Sequence, residues 1–221
     1  MKSLTLIVPA KNEPESLPIV LNELEKFEYK ICIVLHGTDT KTIESLKDYD
    51  VNITYQKNFG YGDAIIEGIN NCNTEYFCIF NADGSFNPSE IDDMFESMQA
   101  RNLDFIFASR YESNSGSEDD TILTLIGNYI FTYIGKIFFR LNVSDILYTF
   151  LIGRTNKAKK LNLSQKDFSF CVELPIKAKK NEMKLGSITA FERKRIAGKK
   201  KVNAFKDGFL ILLHMIKLFF K

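Results

Sequence analysis

The 221-residue chain is predicted to fold as one α/β domain, a mostly parallel sheet flanked by helices, with an amphipathic helix at its carboxyl end. Three observations predict this. Short β-like runs alternate with amphipathic stretches through the first half, the pattern of strands joined by helical crossovers. Turn-forming residues punctuate the ends of those runs. Phe209 to Phe220 is almost continuously apolar, with basic side chains at helical spacing around it.

Leu4 to Pro9 opens the chain as a strand, and Leu17, Val20, Leu21 and Leu24 then recur at helical spacing. Lys30 to Leu35 and Val51 to Tyr55 are the next strands. Ala64, Ile65, Gly68 and Ile69 mark a second helix face, ahead of a strand at Tyr76 to Phe80. Asn87-Pro88-Ser89-Glu90 is a helix start, with Asn87 as cap and Pro88 at the first helical position, where its missing N–H is harmless. A strand at Leu103 to Ala108 completes a nucleotide-binding type of half, residues 1–111. The polar, acidic stretch Ser113 to Asp120 is a loop within the domain rather than a linker. Ile122 to Leu141 is apolar enough to suggest a membrane span. Asn128, Thr132, Lys136 and Arg140 nevertheless fall every fourth residue and draw one polar stripe, which fits an amphipathic helix better.

At 45% hydrophobic residues the chain can bury one substantial core. Lys plus Arg (29) nearly balance Asp plus Glu (28), so no global field draws the molecule to nucleic acid or to a membrane, and charge must act locally. Cys32, Cys72, Cys78 and Cys171 form no C-x-x-C pair, and Cys32 and Cys78 lie in apolar runs as small buried hydrophobes. A reducing cytoplasm is expected. The amino terminus runs directly into Leu4 to Pro9 without the pattern of a secretory signal, so the protein is expected not to be secreted.

Three loops at strand ends are site candidates, because an open α/β sheet presents its ligand crevice at the carboxyl ends of its strands. Val8-Pro9-Ala10-Lys11-Asn12-Glu13 can contact a base or ribose, or serve only as a strand-to-helix turn with a solvated Glu13. Asn58-Phe59-Gly60-Tyr61-Gly62-Asp63-Ala64 sets two glycines where backbone can approach a phosphate closely. It is not the dinucleotide fingerprint, since Ile65 stands where a third small residue belongs and the segment follows the third strand; a tight turn is the plainer reading. Phe80-Asn81-Ala82-Asp83-Gly84-Ser85 places a carboxylate just past an apolar strand. Mg²⁺ takes one or two carboxylates plus substrate phosphates, a role that suits Asp83, with Asn81 or Ser85 as neutral neighbours. An Asn/Asp/Gly turn has the same composition.

In order and spacing these segments resemble the family 2 glycosyltransferases, especially the dolichol-phosphate mannose synthase-like branch. The shared pattern is a V-P-x-x-N-E opening, an N-x-G-x-G-x-A segment and a D-x-D-like strand end followed by a Pro-Glu helix start. Ala108-Ser109-Arg110-Tyr111 matches the S-R-Y strand end, and Ser144-Asp145 with Phe150 resembles the D-x-x-x-G-F segment. Phe170 with Glu173 matches the F-x-x-E-L helix start, and Glu192-Arg193 through Gly198 resembles the E-R-x-R-x-x-G loop. The resemblance covers residues 4–208. It implies a GT-A-type fold and inverting transfer from a nucleotide-sugar donor to a polyprenyl phosphate, or to a lipid-linked or surface glycan, with Mg²⁺ or Mn²⁺ as cofactor. It further implies that Pro9, Asn12 and Glu13 line the nucleotide pocket, that Asp83 binds the metal, and that Arg193 and Arg195 contact phosphate. Asp39, Gly60, Gly62, Asn81 and Arg110 join the donor side, and residues 112–221 form the acceptor-side half.

Three positions depart from the family pattern. Leu35-His36-Gly37-Thr38-Asp39 stands where an Asp pair is usual, so the base-binding acid is absent or displaced to Asp39. Asn81 replaces the first Asp of the metal motif, keeping an oxygen ligand but losing a charge, which predicts weaker metal binding. Thr149, preceded by Tyr148, replaces a Gly on the acceptor side. His36 reads as a base-stacking or structural group. Asp145 is the general base if the acceptor is a hydroxyl, whereas a phosphate acceptor is already ionised.

Arg193 to Lys201 holds Arg193, Lys194, Arg195, Lys199, Lys200 and Lys201 and no acid. Its position before an apolar helix points to anionic ligands, although a solvated basic loop has the same composition. Phe209 to Phe220 is too short to cross a bilayer that needs ~20 residues. Lys206, His214, Lys217 and Lys221 can share one side of that helix while Phe209, Leu212, Leu213, Ile216 and Phe220 fill the other, as in a helix lying at the cytoplasmic face of a membrane. The same face could pack on the core or across a homodimer. A sugar-1-phosphate nucleotidyltransferase would need a Gly-rich basic first loop, which Pro9-Ala10-Lys11-Asn12 does not supply. A non-catalytic nucleotide-sugar or lipid-phosphate binding protein is suggested by Leu35, His36 and Asn81 in place of acids. Nucleic acid is not an expected partner.

Overall fold

The structure, a computed structural model, describes residues 3–113, 115–198 and 201–220; Lys199, Lys200 and Lys221 of the basic stretches lie outside the described residues. Strands and helices alternate through the first half as β1 (Leu4–Pro9), α1 (Ser16–Leu24), β2 (Lys30–Leu35), α2 (Thr40–Glu44), β3 (Asn52–Tyr55), α3 (Tyr61–Asn71), β4 (Tyr76–Ile79), α4 (Glu90–Ala100) and β5 (Phe105–Ser109). There follow β6 (Gly116–Ser117), α5 (Ile122–Phe139), β7 (Leu151–Arg154), α6 (Thr155–Lys160), α7 (Phe170–Lys180), β8 (Leu185–Thr189), β9 (Phe191–Glu192) and α8 (Ala204–Phe219).

Seven strands form one sheet in the order β3-β2-β1-β4-β7-β5-β8. All pair in parallel except β7, which runs antiparallel to both β4 and β5. This strand is not apparent in the sequence because it has four residues and a glycine in its middle. Gly153 is needed there, since an added Cβ would lie 2.5 Å from the Phe105 ring and 2.8 Å from the Phe77 ring. Every residue of β4 and β5 is buried, which is why these strands read as unbroken apolar runs. One core, including Leu17, Met94, Phe80 and Phe150, lies under α1 and α4; a second, including Ile65, Phe77, Phe170 and Leu174, lies under α3 and α7. A third joins α5, α7 and α8 through Phe139, Val172, Ile176, Ile211, Met215 and Leu218.

Three expectations are corrected. Helix α4 begins at Glu90 rather than Pro88, because Asn87 Oδ1 accepts the N–H and hydroxyl of Ser89 and closes a turn before the helix. In α5 the polar stripe divides: Asn128 and Thr132 are buried and face inward, Lys136 and Arg140 are exposed, and so are the apolar Ile122, Ile126, Tyr129, Ile130, Tyr133, Ile137 and Phe138. Thr132 Oγ1 fixes this orientation by accepting the Ile146 N–H at 3.2 Å. In α8, His214 faces inward with Ile211, Met215 and Leu218 rather than lying on a polar edge, and burial lowers its pKa. Phe209, Leu212, Leu213, Ile216 and Phe220 do face outward, with Lys206 and Lys217 exposed beside them. Among the described residues, α5 is the one helix long and apolar enough to cross a membrane by length and composition.

Candidate active site

A cavity of about 740 Å³ opens at the carboxyl ends of β1, β2 and β4. Pro9, Asn12, Glu13, Asp39, Gly60, Asn81, Asp83, Ser85, Arg110 and Arg195 line it; Gly62, Asp145 and Arg193 do not.

The first loop is held from both sides. The Ala10 N–H bonds Val34 O, keeping the chain beside β2 for one residue past the strand. Asn12 then takes a left-handed φ of 52° and its N–H donates to Asp39 Oδ2 at 2.6 Å. Asp39 also caps α2 by accepting the Thr42 N–H. Glu13 is buried rather than solvated: Oε2 accepts the Ser16 hydroxyl at 2.6 Å and Oε1 pairs with Lys201. On the opposite rim the His36 and Phe59 rings stack with centroids 4.0 Å apart, and His36 Nδ1 lies 2.8 Å from Thr38 Oγ1.

The two glycines of the second segment serve the chain itself rather than an open phosphate cradle. A Cβ on Gly60, at φ 137°, would lie 2.0 Å from Lys166 O, and one on Gly62 would lie 2.1 Å from Gln165 O. Their absence of side chain lets α3 start against the 165–167 backbone, where the Asp63 N–H bonds Lys166 O. Tyr61 between them reaches into the site, its hydroxyl 2.5 Å from Thr149 Oγ1 and 3.3 Å from Asn81 Oδ1. Burial pushes that phenol's pKa up.

At the end of β4, Asp83 Oδ1 accepts both the N–H (3.0 Å) and the hydroxyl (2.7 Å) of Ser85. Asp83 Oδ2 lies 3.5 Å from Arg195 Nη1. The rest of that guanidinium forks onto Asp119, Nε at 3.0 Å and Nη2 at 2.7 Å, and these bonds raise the Arg195 pKa. Backbone bonds from the Arg193 N–H to Ser85 O and from the Ile196 N–H to Asp83 O lay this segment along the β4 loop. Among the described residues no group of three or more His, Cys, Asp or Glu is gathered as a metal cage.

Two predicted catalytic residues lie elsewhere. Asp145 has no exposed surface, and its oxygens take Arg110 Nε at 2.8 Å, Arg110 Nη2 at 3.2 Å and the Tyr148 N–H at 3.2 Å. A carboxylate so enclosed, outside the cavity, is not poised as a general base. Arg193 donates to Glu23 of α1 and to Phe86 O at 2.7 Å, away from the cavity. Arg110 itself is buried over the Tyr148 ring and also donates to Glu192 at 3.0 Å. Burial alone would lower its pKa, but Asp145 and Glu192 raise it well above the ordinary value, while burial pushes Glu192 up. Tyr61, Asp119 and Asp120 were missed as site residues. The sequence marks the last two only as part of an acidic loop.

Residues 5–161 match the Glycosyl transferase family 2 profile. The chain belongs to glycosyl transferase family 2. This family 2 member is similar to the UDP-N-acetylglucosamine–dolichyl-phosphate N-acetylglucosaminyltransferase of Methanococcus voltae, 23% identical over 211 residues that cover 85% of this chain and 84% of that protein. It is also similar to an undecaprenyl-phosphate 4-deoxy-4-formamido-L-arabinose transferase of Photorhabdus laumondii subsp. laumondii, 29% identical over 105 residues, 41% of this chain and 32% of that one. The fold is similar to that of glucosyl-3-phosphoglycerate synthase from Mycobacterium tuberculosis in complex with Mn²⁺, uridine diphosphate and glucosyl-3-phosphoglycerate. That match has a TM-score of 0.74 at 8% identity and covers 97% of this chain and 79% of the other. The family 2 chain is therefore a glycosyltransferase of GT-A fold.

Proposed function

We propose that this glycosyltransferase moves a sugar, with inversion, from a nucleotide-sugar donor to a polyprenyl phosphate at a membrane surface. The observation that carries the reading is the change of character along one cavity. Its inner end holds Glu13, Asp39, Asn81, Asp83 and Arg195; its outer end is the apolar seam between α5 and α8, lined by Leu123, Ile126, Ile130, Phe131, Phe205 and Ile211. A nucleoside diphosphate suits the first end and a hydrocarbon chain the second. The names of the Methanococcus and Photorhabdus relatives, dolichyl-phosphate and undecaprenyl-phosphate transferases, support the same acceptor class.

On the donor side, the stacked His36–Phe59 pair offers a ring face to a base. Asp39 and the Pro9–Glu13 loop face the ribose. The donor set around Asp83 fits a divalent cation such as Mg²⁺ or Mn²⁺, which takes one carboxylate and completes its shell with diphosphate oxygens and water. Asp83 would be the anionic ligand and Asn81 a neutral one, while Ser85, its hydroxyl donated to Asp83, orients that carboxylate. Bound there, the cation supplies Lewis-acid neutralisation of the departing diphosphate. Arg195 adds fixed charge: Asp119 holds its Nε and Nη2, which leaves Nη1, beside Asp83, as the nitrogen available to a diphosphate oxygen. A phosphate acceptor needs no proton removed before it attacks the anomeric carbon, which agrees with Asp145 being committed to Arg110. The outward apolar faces of α5 and α8, with Lys136, Lys206 and Lys217 on them, support peripheral contact with the cytoplasmic face of a membrane.

The test is transfer itself. Protein with Mn²⁺ and a panel of nucleotide sugars is offered farnesyl phosphate or farnesol, and products are read by mass spectrometry. Glycosylated farnesyl phosphate from at least one donor is expected, with farnesol unreacted. Transfer to farnesol alone, or to neither, overturns the acceptor assignment.

A further inference from the structure

Asn128 stands in the middle of the inward stripe of α5. Thr124 and Thr132, one turn to either side, share its face of the helix, and both have protein partners. Thr124 Oγ1 donates to Asp120 Oδ1 at 2.8 Å, and Thr132 Oγ1 accepts the Ile146 N–H at 3.2 Å. Asn128 is only 4% exposed, yet its Oδ1 has no hydrogen-bond partner among the described residues. It lines the cavity where the α5–α8 seam begins, in company with Gly127, Phe131, Gly208 and Ile211. A buried polar atom without a partner costs stability, and native structures keep one where water or a ligand completes it. Room for such a partner exists nearby. A Cβ added at Gly127 would meet nothing within 4 Å, and one at Gly208 would meet only the Phe131 ring, at 3.9 Å.

We propose that Asn128 is the acceptor-positioning residue: its carboxamide hydrogen-bonds the polar head of an amphiphilic acceptor whose hydrocarbon lies in the α5–α8 seam. This rests on the reading of the acceptor as a prenyl phosphate. Oδ1 is enclosed and accepts no hydrogen bond that would fix the carboxamide, so the group is free to turn its Nδ2–H toward the cavity. A neutral N–H donor suits a phosphate oxygen. A buried polar point in a mostly apolar seam, which Thr124, Lys206 and Asp207 also line, sets how deep the acceptor slides, with its head toward Asp83 and Arg195 and its tail outward. Thr124 and Thr132 hold the helix; Asn128 reads what enters beside it.

Asn128→Leu is near-isosteric and removes only the hydrogen-bonding capacity. Binding of farnesyl phosphate, farnesol, inorganic phosphate and, separately, uridine diphosphate with Mn²⁺ is measured by titration calorimetry without turnover, alongside the thermal midpoint. The variant is expected to melt at the same temperature or higher, to bind farnesyl phosphate about tenfold more weakly, and to bind farnesol and the nucleotide as the wild type does. Asn128→Ser, which keeps a hydrogen-bonding group, is expected to fall between the two. If the Leu variant does not fold, Asn128→Ala makes the same comparison. Equal farnesyl phosphate affinity in wild type and variant overturns the proposal, as does a parallel loss for farnesol, which would mark a packing effect. Inorganic phosphate binding as tightly as farnesyl phosphate also overturns it. A wild type that binds the nucleotide but not farnesyl phosphate removes the acceptor reading of the preceding section as well, so the two failures are distinguishable.

Discussion

Arg195 joins Asp83 to Asp119: one guanidinium nitrogen lies 3.5 Å from Asp83 Oδ2 while two others hold the Asp119 carboxylate at 2.7 and 3.0 Å. The carboxylate best suited to a divalent cation is thus already under a positive charge supplied by the segment laid along its own loop. Asp83→Ala is expected to abolish the Mn²⁺-dependent part of nucleoside diphosphate binding. For wild type, a ligand at a hundred times its dissociation constant adds about 2.7 kcal/mol of stability, a shift of roughly 5–10 °C at this chain length. A thermal-shift series with and without Mn²⁺ reads this directly, and an unchanged Mn²⁺ effect in the variant would displace Asp83 from the role.

The two arginines should separate. Arg195→Lys loses the fork onto Asp119 and with it the placement of Nη1 beside Asp83, so kcat/KM should fall by about tenfold or more. Arg193→Lys alters only a partly exposed pair with Glu23 and a bond to Phe86 O, and should leave turnover within about twofold at a small cost in stability. Steady-state kinetics and urea midpoints on both variants check the contrast.

Two helix glycines, Gly62 of α3 and Gly127 of α5, should respond in opposite senses. Gly62→Ala places a methyl 2.1 Å from Gln165 O and 2.8 Å from Phe170 Cβ, and should destabilise by about 2–3 kcal/mol. Gly127→Ala enters open space within a helix and should stabilise by up to about 1 kcal/mol. Chemical denaturation at equilibrium measures both.

Glu173 has no exposed surface and holds the loop on which Gly60 and Gly62 press, accepting the N–H groups of Ser164 and Gln165, with Lys177 Nζ at 2.8 Å. Burial by itself would raise its pKa, but Lys177 and the backbone donors outweigh it and hold the carboxyl below its ordinary range. Its contribution to stability is therefore fully present above the unfolded value of about 4.3 and is lost as pH falls through the lowered folded value. Glu173→Gln should have a lower urea midpoint at neutral pH, with the gap to wild type closing below about pH 4. A gap that persists to the acid limit would assign the effect to packing.

Membrane contact is best tested by changing the outer face of α8 and leaving the helix in place. Removing the helix would strip Ile211, Met215 and Leu218 from the core. Phe209→Ser combined with Ile216→Ser changes side chains that are 62% and 47% exposed. Wild type is expected to sediment with anionic vesicles at low salt and the double variant to stay in solution with an unchanged circular dichroism spectrum.

Strands β1 and β2 were legible to the residue, because the parts of parallel strands that the helices cover, Leu4 to Val8 and Ile33 to Leu35, are buried and read as largely apolar runs. The carboxyl-end loops were legible for a related reason: Pro9, Asp39 and Asp83 interrupt those apolar runs where the sheet ends. Long-range pairing was not. Nothing local separates Arg193, on Glu23, from Arg195, on Asp119, since both partners are remote in sequence. The stripe of α5 was visible as a period but not as a direction, because periodicity gives the angle between residues and not which face meets the protein. Asp145 read as a base from its motif, and only the Arg110 side chain folded against it reveals its commitment.

The place of β7 bears on how the chain is made. β5 finds its sheet partners only in β7 and β8, both synthesised after it. Residues 105–109 are wholly buried in the finished protein, so they leave the ribosome as an apolar strand with no neighbour to pair with. At the ordinary pace of translation several seconds pass before Leu151–Arg154 arrives to join them to β4, and β8 comes later still. During that interval the nascent chain carries an unpaired apolar strand, and a fragment ended at residue 111 would keep it and should aggregate.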